Sequence, residues 1–153
     1  MSLKDKITND MKDAMRAKDS ERLGTIRLLL AAIKQKEVDE RIMVDDAQVL
    51  VIIEKLVKQR KDSITAFDAA NRKDLADKER SETVVLMAYM PAQASNEEIA
   101  AIVDTALAAL KAANPTAQGG ALMGQLMAAV KPLLAGKADM SAVSALVKQA
   151  LSK

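Results

Sequence analysis

The stretch Ile53-Glu54-Lys55-Leu56-Val57-Lys58-Gln59-Arg60-Lys61-Asp62-Ser63-Ile64-Thr65-Ala66-Phe67 decides the fold. Ile53, Val57, Ile64 and Phe67 recur at helical spacing and continue the line of Val49, with polar residues between them. Asp45 or Asp46 can cap this helix, which is predicted to run to about Ala70. Asn71 can close it, because Asn tolerates the left-handed conformation at a helix end. Arg60 is the anomaly, a guanidinium on the line that should face a core. The next segment, Leu75, Glu79, Glu82, Leu86 and Tyr89, repeats the pattern with carboxylates on its stripe. A hairpin turning between Asn71 and Arg72 brings Arg60 opposite position 83, beside Glu82. An Arg60–Glu82 ion pair is therefore predicted, with Glu79 the alternative partner. Such a pair sets helix register or holds a cleft.

Two more helices precede this hairpin. Leu3, Ile7, Met11 and Met15 form an amphipathic stripe behind Ser2, a suitable N-cap. Leu23, Ile26, Leu30 and Ile33 form a second stripe behind Asp19 or Ser20, and Arg27 flanks it. Glu37 to Val44 reads as a charged connection that can begin as helix, and Glu37, Asp39, Glu40, Asp45 and Asp46 as a solvated acidic turn. Four helices with short connections predict an antiparallel bundle over residues 1–90.

Charge density drops at Pro91. Of 23 Lys/Arg and 21 Asp/Glu in the chain, five and four lie beyond it, which places a domain boundary there. Ser95 and Glu98 form a capping box for a helix carrying Ile99, Ile102, Val103, Ala106 and Leu110, stopped by Asn114-Pro115. Gly119-Gly120 leads into a helix around Leu122–Met127, and Pro132 permits at most a kinked continuation. Gly136 makes a turn, and Val143, Leu146, Val147, Ala150 and Leu151 line a last helix. Nothing alternates with period two over a strand length, so the chain is expected to be all-α, with a small three-helix domain over 91–153.

Composition excludes much chemistry. There is no Cys and no His, which removes thiol nucleophiles, disulfides, imidazole and thiolate metal sites and the commonest general base. The acidic cluster lacks the alternating ligands and central Gly of a calcium loop, and neither GxxxxGK[ST] nor GxGxxG is present. No catalytic residue, metal or cofactor is assigned. One Phe and one Tyr are too few for a base-stacking platform. Nine Met residues build an adaptable core or a groove that tolerates several partners. The run Lys55, Lys58, Arg60 and Lys61 is interrupted by acids and reads as a solvated face. No apolar run reaches membrane-spanning length. Absence of Cys fits a reducing compartment, and the expectation is a cytoplasmic protein.

Several blocks together resemble the GatB/YqeY family, specifically its stand-alone YqeY-like proteins. They are Arg22-Leu23 with Thr25-Ile26-Arg27, Ala31-Ala32-Ile33-Lys34, Lys58-Gln59-Arg60-Lys61-Asp62-Ser63-Ile64, Arg72-Lys73-Asp74-Leu75, Tyr89-Met90-Pro91-Ala92-Gln93, Met123-Gly124-Gln125-Leu126-Met127 and Gly136-Lys137-Ala138-Asp139. The resemblance implies an all-helical fold in two parts. Its second part is similar to the tail of the B subunit of tRNA-dependent amidotransferases, which convert glutamate or aspartate on tRNA into the amide. That tail is a tRNA-contacting appendage, with the carbon–nitrogen ligation carried out in other domains. Met140 stands where the family places Gly, so either the last helix starts one residue earlier or the turn differs.

With that resemblance in view, Gly124 is a close-approach position for another helix or a ligand backbone, because a mid-helix Gly is costly otherwise. Lys131, Lys137, Lys148 and Lys153 face only Asp139 as an acid from Pro115 onward and become candidate tRNA-backbone contacts. The leading expectation is a non-catalytic accessory or tRNA-binding module working with an amidotransferase or synthetase. The alternative is an adaptor docking on such an enzyme through a Met-rich helical surface. A third reading, an enzyme in its own right, requires a polar cleft between the two domains around Arg27, Arg60 and Glu82.

Overall fold

A computed structural model describes residues 1–152. Among them the chain forms seven α-helices and no strand, divided into two compact units, Met1–Met90 and a second beginning at Pro91.

The first unit contains α1 (Leu3–Arg16), α2 (Ser20–Glu40), α3 (Asp46–Ala69) and α4 (Lys73–Met87). The hairpin of α3 and α4 is its most extensive packing, with α1 laid on α2 and α2 touching both α3 and α4. Ile7, Ala14, Ile26, Leu29, Ile33, Val49, Ile53 and Leu86 are buried in one core. Each fully buried large aliphatic side chain contributes roughly 1.5–3 kcal/mol. Ser2 Oγ accepts from the Asp5 amide at 3.1 Å and Asp5 Oδ2 accepts from the Ser2 amide at 3.2 Å, a capping box. Met15, placed on the first stripe by its spacing, is 48% exposed, and Ala14 is buried instead. Steps of four drift by about 40° each against a 3.6-residue turn, so the stripe has left the buried face by its fourth member.

Helix ends decide the connections. After α3, the Arg72 amide donates to the Phe67 carbonyl at 2.8 Å and the Asn71 amide to the Asp68 carbonyl at 3.1 Å, with Asn71 at φ 58°. This is the expected closure, with Asn serving where Gly is commonest. Lys18 and Arg41 end α1 and α2 in the same left-handed region, both at φ 55°.

The acidic connection begins as helix, and its carboxylates depart from the solvated reading. Helix α2 continues through Glu37 to Glu40, and Glu37 turns inward to accept from Lys4 Nζ at 2.7 Å and from the Val44 amide at 3.1 Å. Asp45 caps α3 in a capping box with Gln48, while Asp46 Oδ1 accepts from the Leu3 amide at 2.9 Å. These carboxylates fasten α1, α2 and α3 together and are not simply solvated. Among the described residues no group of three or more His, Cys, Asp or Glu is placed to hold a metal.

In the second unit, α5 (Asn96–Ala113), α6 (Gly119–Leu134) and α7 (Met140–Leu151) all pack on one another. Ile99, Val103, Leu126, Val130, Leu134, Val143 and Val147 fill its core. The Ser95–Glu98 capping box opens α5, and Asn114 closes it. Helix α6 runs past Pro132 to Leu134, so Pro132 lies inside its last turn with two helical residues after it. Asp139 Oδ1 accepts from the Ser141 amide at 2.9 Å, making Met140 the first residue of α7. Met140 is not among the positive-φ residues and packs partly buried on the core. As the first residue of α7, Met140 needs no left-handed backbone.

Candidate functional site

Arg60 reaches its stripe position because α3 is continuous there, and α4 supplies the counter-charge. Arg60 Nε donates to Glu82 Oε2 at 3.0 Å, and Nη1 donates to the Leu56 carbonyl at 3.1 Å. The arginine is 7% exposed, whereas Glu82 is about a fifth exposed and borders a cleft of about 540 Å3. Arg22, Thr25, Lys78 and Ser81 also line that cleft, which lies wholly within the first unit. Glu79 makes no ion pair among the described residues. Arg27 does not join the pair. It is exposed, because the buried face of α2 runs through Thr25, Ile26, Leu29 and Ile33, and Arg27 falls about 100° round from Ile26.

Sequence reasoning missed a second polar cluster. The Tyr89 hydroxyl donates to Asp10 Oδ2 at 2.6 Å, and Arg22 Nη2 lies 3.9 Å from the same oxygen. Lys6 Nζ stands 5.8 Å from the ring centroid. Burial first, then the bond to Asp10, raises the Tyr89 phenol above its ordinary value. Asp10 and Tyr89 are 79 residues apart, and no local pattern announces such a contact.

In the second unit two of the signature blocks meet. Gln93 Nε2 donates to the Gly136 carbonyl at 2.9 Å, and the Ala94 amide donates to the Lys137 carbonyl at 2.8 Å. Gly136 is buried at φ 74°, a conformation that suits Gly and strains other residues. The turn is therefore a clasp between the start of the unit and the end of α6. It fixes the Lys137 backbone and leaves its side chain exposed.

Gly124 does not pack against another helix of the unit. It is exposed, and a Cβ there would meet nothing within 4 Å. Gly120, Gly124, Ala128 and Lys131 all lie on the outward side of α6. Lys131, Lys137 and Lys148 are exposed and make no ion pair among the described residues. Lys153, the fourth lysine singled out, lies outside the described residues. Most methionines are not surface: Met11, Met87, Met90, Met123, Met127 and Met140 pack against the two cores, leaving Met1, Met15 and Met43 exposed. Helical spacing turns these six side chains partly inward.

The fold and these sites define an all-helical protein of two compact units, its polar clusters spent largely on joining helices and its last two helices free of carboxylates. The family described as Yqey-like protein matches residues 4–151, and the chain belongs to that family. Curated relatives carry the name "Altered inheritance of mitochondria protein 41, mitochondrial". The one from Eremothecium gossypii is 45% identical over 108 residues, 69% of this chain and 59% of that protein. The Kluyveromyces lactis protein is 41% identical over 123 residues, 78% of this chain and 66% of the relative. The Lachancea thermotolerans protein is 42% identical over 115 residues, 73% and 62% respectively. The matches thus span less than two thirds of these relatives' own length.

These names correct the cytoplasmic expectation, since the relatives are mitochondrial proteins. Lack of Cys does not separate one reducing compartment from another. No helix among the described residues is long and apolar enough to cross a membrane.

Proposed function

We propose that this YqeY-like chain is an accessory module that contacts the backbone of tRNA through its second unit and lends that contact to an aminoacyl-tRNA amidotransferase or synthetase, without catalysing the reaction itself. One observation carries the reading. The outward face of α6 exposes Gly120, Gly124 and Ala128 at four-residue intervals and ends at Lys131, with no carboxylate on α6 or α7. Small residues let a sugar-phosphate strand come close to the helix, and lysines at its end and on the neighbouring turn attract phosphates without reading bases. A mid-helix Gly costs about 0.5–1 kcal/mol relative to Ala, and no contact within the unit offsets it at Gly124. The hydrogen bonds that tie Arg60 to Glu82 and Tyr89 to Asp10 across helices argue for scaffolding over chemistry in the first unit.

The test is fluorescence anisotropy with labelled tRNA at two salt concentrations. Binding should weaken steeply with salt, and Lys131→Ala/Lys137→Ala should lower the log–log salt slope by about two. Gly124→Leu should weaken binding with the helical signal intact, because open space surrounds that position. Absence of binding at low salt, or identical binding by all variants, sinks the reading.

A further inference from the structure

A groove of about 720 Å3 opens on the second unit where the end of α5, the start of α6 and the end of α7 come together. Its floor is apolar, built from Leu122 and Met123 of α6, Leu151 of α7, and Pro115 and Ala117 of the connection. Lys111 of α5 and Lys148 of α7 also line it. Both lysines are exposed and make no ion pair among the described residues, and no carboxylate lines the groove. The volume lies in the range, roughly 300–1,000 Å3, of sites that enclose a ligand or several side chains.

From this we infer that the groove docks an acidic amphipathic segment of a partner protein, its apolar residues on the Leu122–Met123–Leu151 floor and its carboxylates beside Lys111 and Lys148. Charge complementarity selects the occupant: cations come from two different helices, and among the described residues no acid lines the groove to repel a carboxylate. The apolar floor selects a polypeptide over a nucleic acid. Phe67 and Tyr89, the chain's only Phe and Tyr in a sequence without Trp, both belong to the first unit, so nothing here stacks a base. A short helix presenting apolar residues at i, i+3 or i+4 and i+7 meets both requirements, with acids on its flanks pairing at the rim. This site goes beyond the tRNA reading: it borders the α6 face invoked there at Gly120 and includes Lys148, one of the lysines singled out from the sequence, but its floor and Lys111 take no part in that face.

The experiment uses the full chain and a fluorescein-labelled synthetic 16-residue helix with Leu at i, i+3, i+4 and i+7 and Glu at the remaining outward positions. Anisotropy reads affinity, and the 13C-methyl resonance of Met123 reads location. Binding should shift the Met123 methyl and fall at least tenfold in Lys111→Glu/Lys148→Glu, two exposed positions whose reversal spares the core. The reversed variant should instead bind the same helix with Lys in place of Glu. Equal affinity for the acidic helix before and after reversal overturns the proposal, as does an unmoved Met123 methyl. A single-stranded oligonucleotide that shifts the same methyl and displaces the peptide equally well also overturns it, in favour of a nucleic-acid groove. Loss of tRNA binding with the peptide result intact would remove the proposed function and leave this site standing.

Discussion

Replacing Glu82 should harm the first unit more than replacing Arg60, although the two groups share one ion pair. Glu82→Ala strands a guanidinium 8% exposed, with only the Leu56 carbonyl left to it. Removing one side of such a buried pair costs roughly 3–5 kcal/mol. Arg60→Met keeps the aliphatic stem and leaves a carboxylate that is 21% exposed on a cleft, where water can reach it. Its cost should be nearer the roughly 1–3 kcal/mol of a partly satisfied polar group. The double variant Arg60→Met/Glu82→Leu strands nothing and should recover most of the loss, because an apolar pair of similar volume is often neutral or stabilising. With Glu82→Leu as the matching single variant, at a cost like that of Glu82→Ala, the coupling comes out at about 3 kcal/mol or more, at the upper end for groups in contact. Tyr89 provides the assay. It is the chain's one Tyr, no Trp is present, and it belongs to the first unit, so its fluorescence in urea follows that unit alone. Each kcal/mol should also lower the melting temperature of a unit this size by about 4–8 °C. A Glu82→Ala penalty under about 1 kcal/mol, or a double variant no better than Glu82→Ala, would refute the reasoning.

Four further outcomes are expected. The Lys4 ammonium, then the Val44 amide, hold the Glu37 carboxyl below its ordinary value of 4.5, so its stabilisation is present above that value and lost as pH falls through the folded one; urea unfolding should show a flatter acid limb in Lys4→Met. Tyr89 carries the opposite sign: its phenol is raised from 10.0, so stability is full below that value and declines as pH rises past it. Tyr89→Phe, followed by circular dichroism, should lose less stability between pH 9 and 11 than the natural chain. Gly124→Ala should stabilise the second unit by about 0.5–1 kcal/mol, whereas Gly136→Ala, at φ 74°, should destabilise it by about 1–2 kcal/mol, both read in thermal melts. Arg41→Gly should stabilise the first unit by up to about 1 kcal/mol, because Arg41 sits at φ 55°; no gain in urea midpoint would show that its side chain offsets the strain.

Particular residues show where the sequence was legible. The Arg60–Glu82 contact could be read because a hairpin with a short, Asn-closed turn ties register to sequence distance, and a charge on an apolar stripe has to be met. Ser95 with Glu98 was equally plain, since a capping box is a local bond between residues three apart. Glu37 was misread as solvated because its partner, Lys4, lies 33 residues away on another helix. At Gly124 the sequence left two partners open, another helix or a ligand backbone, and no helix of the unit comes close. A glycine on a helix face signals close approach, but the sequence does not say whether the approaching backbone belongs to the same chain. Gly136 kept its turn, and its bond to Gln93 joins blocks 43 residues apart that only folding brings together.

By itself, then, the sequence determined an all-helical chain, the capped starts of several of its helices, one cross-helix ion pair and its family, because periodicity, capping and hairpin register act over a few residues. Tertiary structure alone decided which polar groups are spent on joining helices and which remain free. Burial is set by the elements that pack around a residue, and those come from anywhere in the chain. It turned the acidic connection into a fastening for three helices, left Arg27 in solvent, and exposed the small-residue face of α6. It also assembled the Lys111–Lys148 groove from three helices that no sequence pattern had linked.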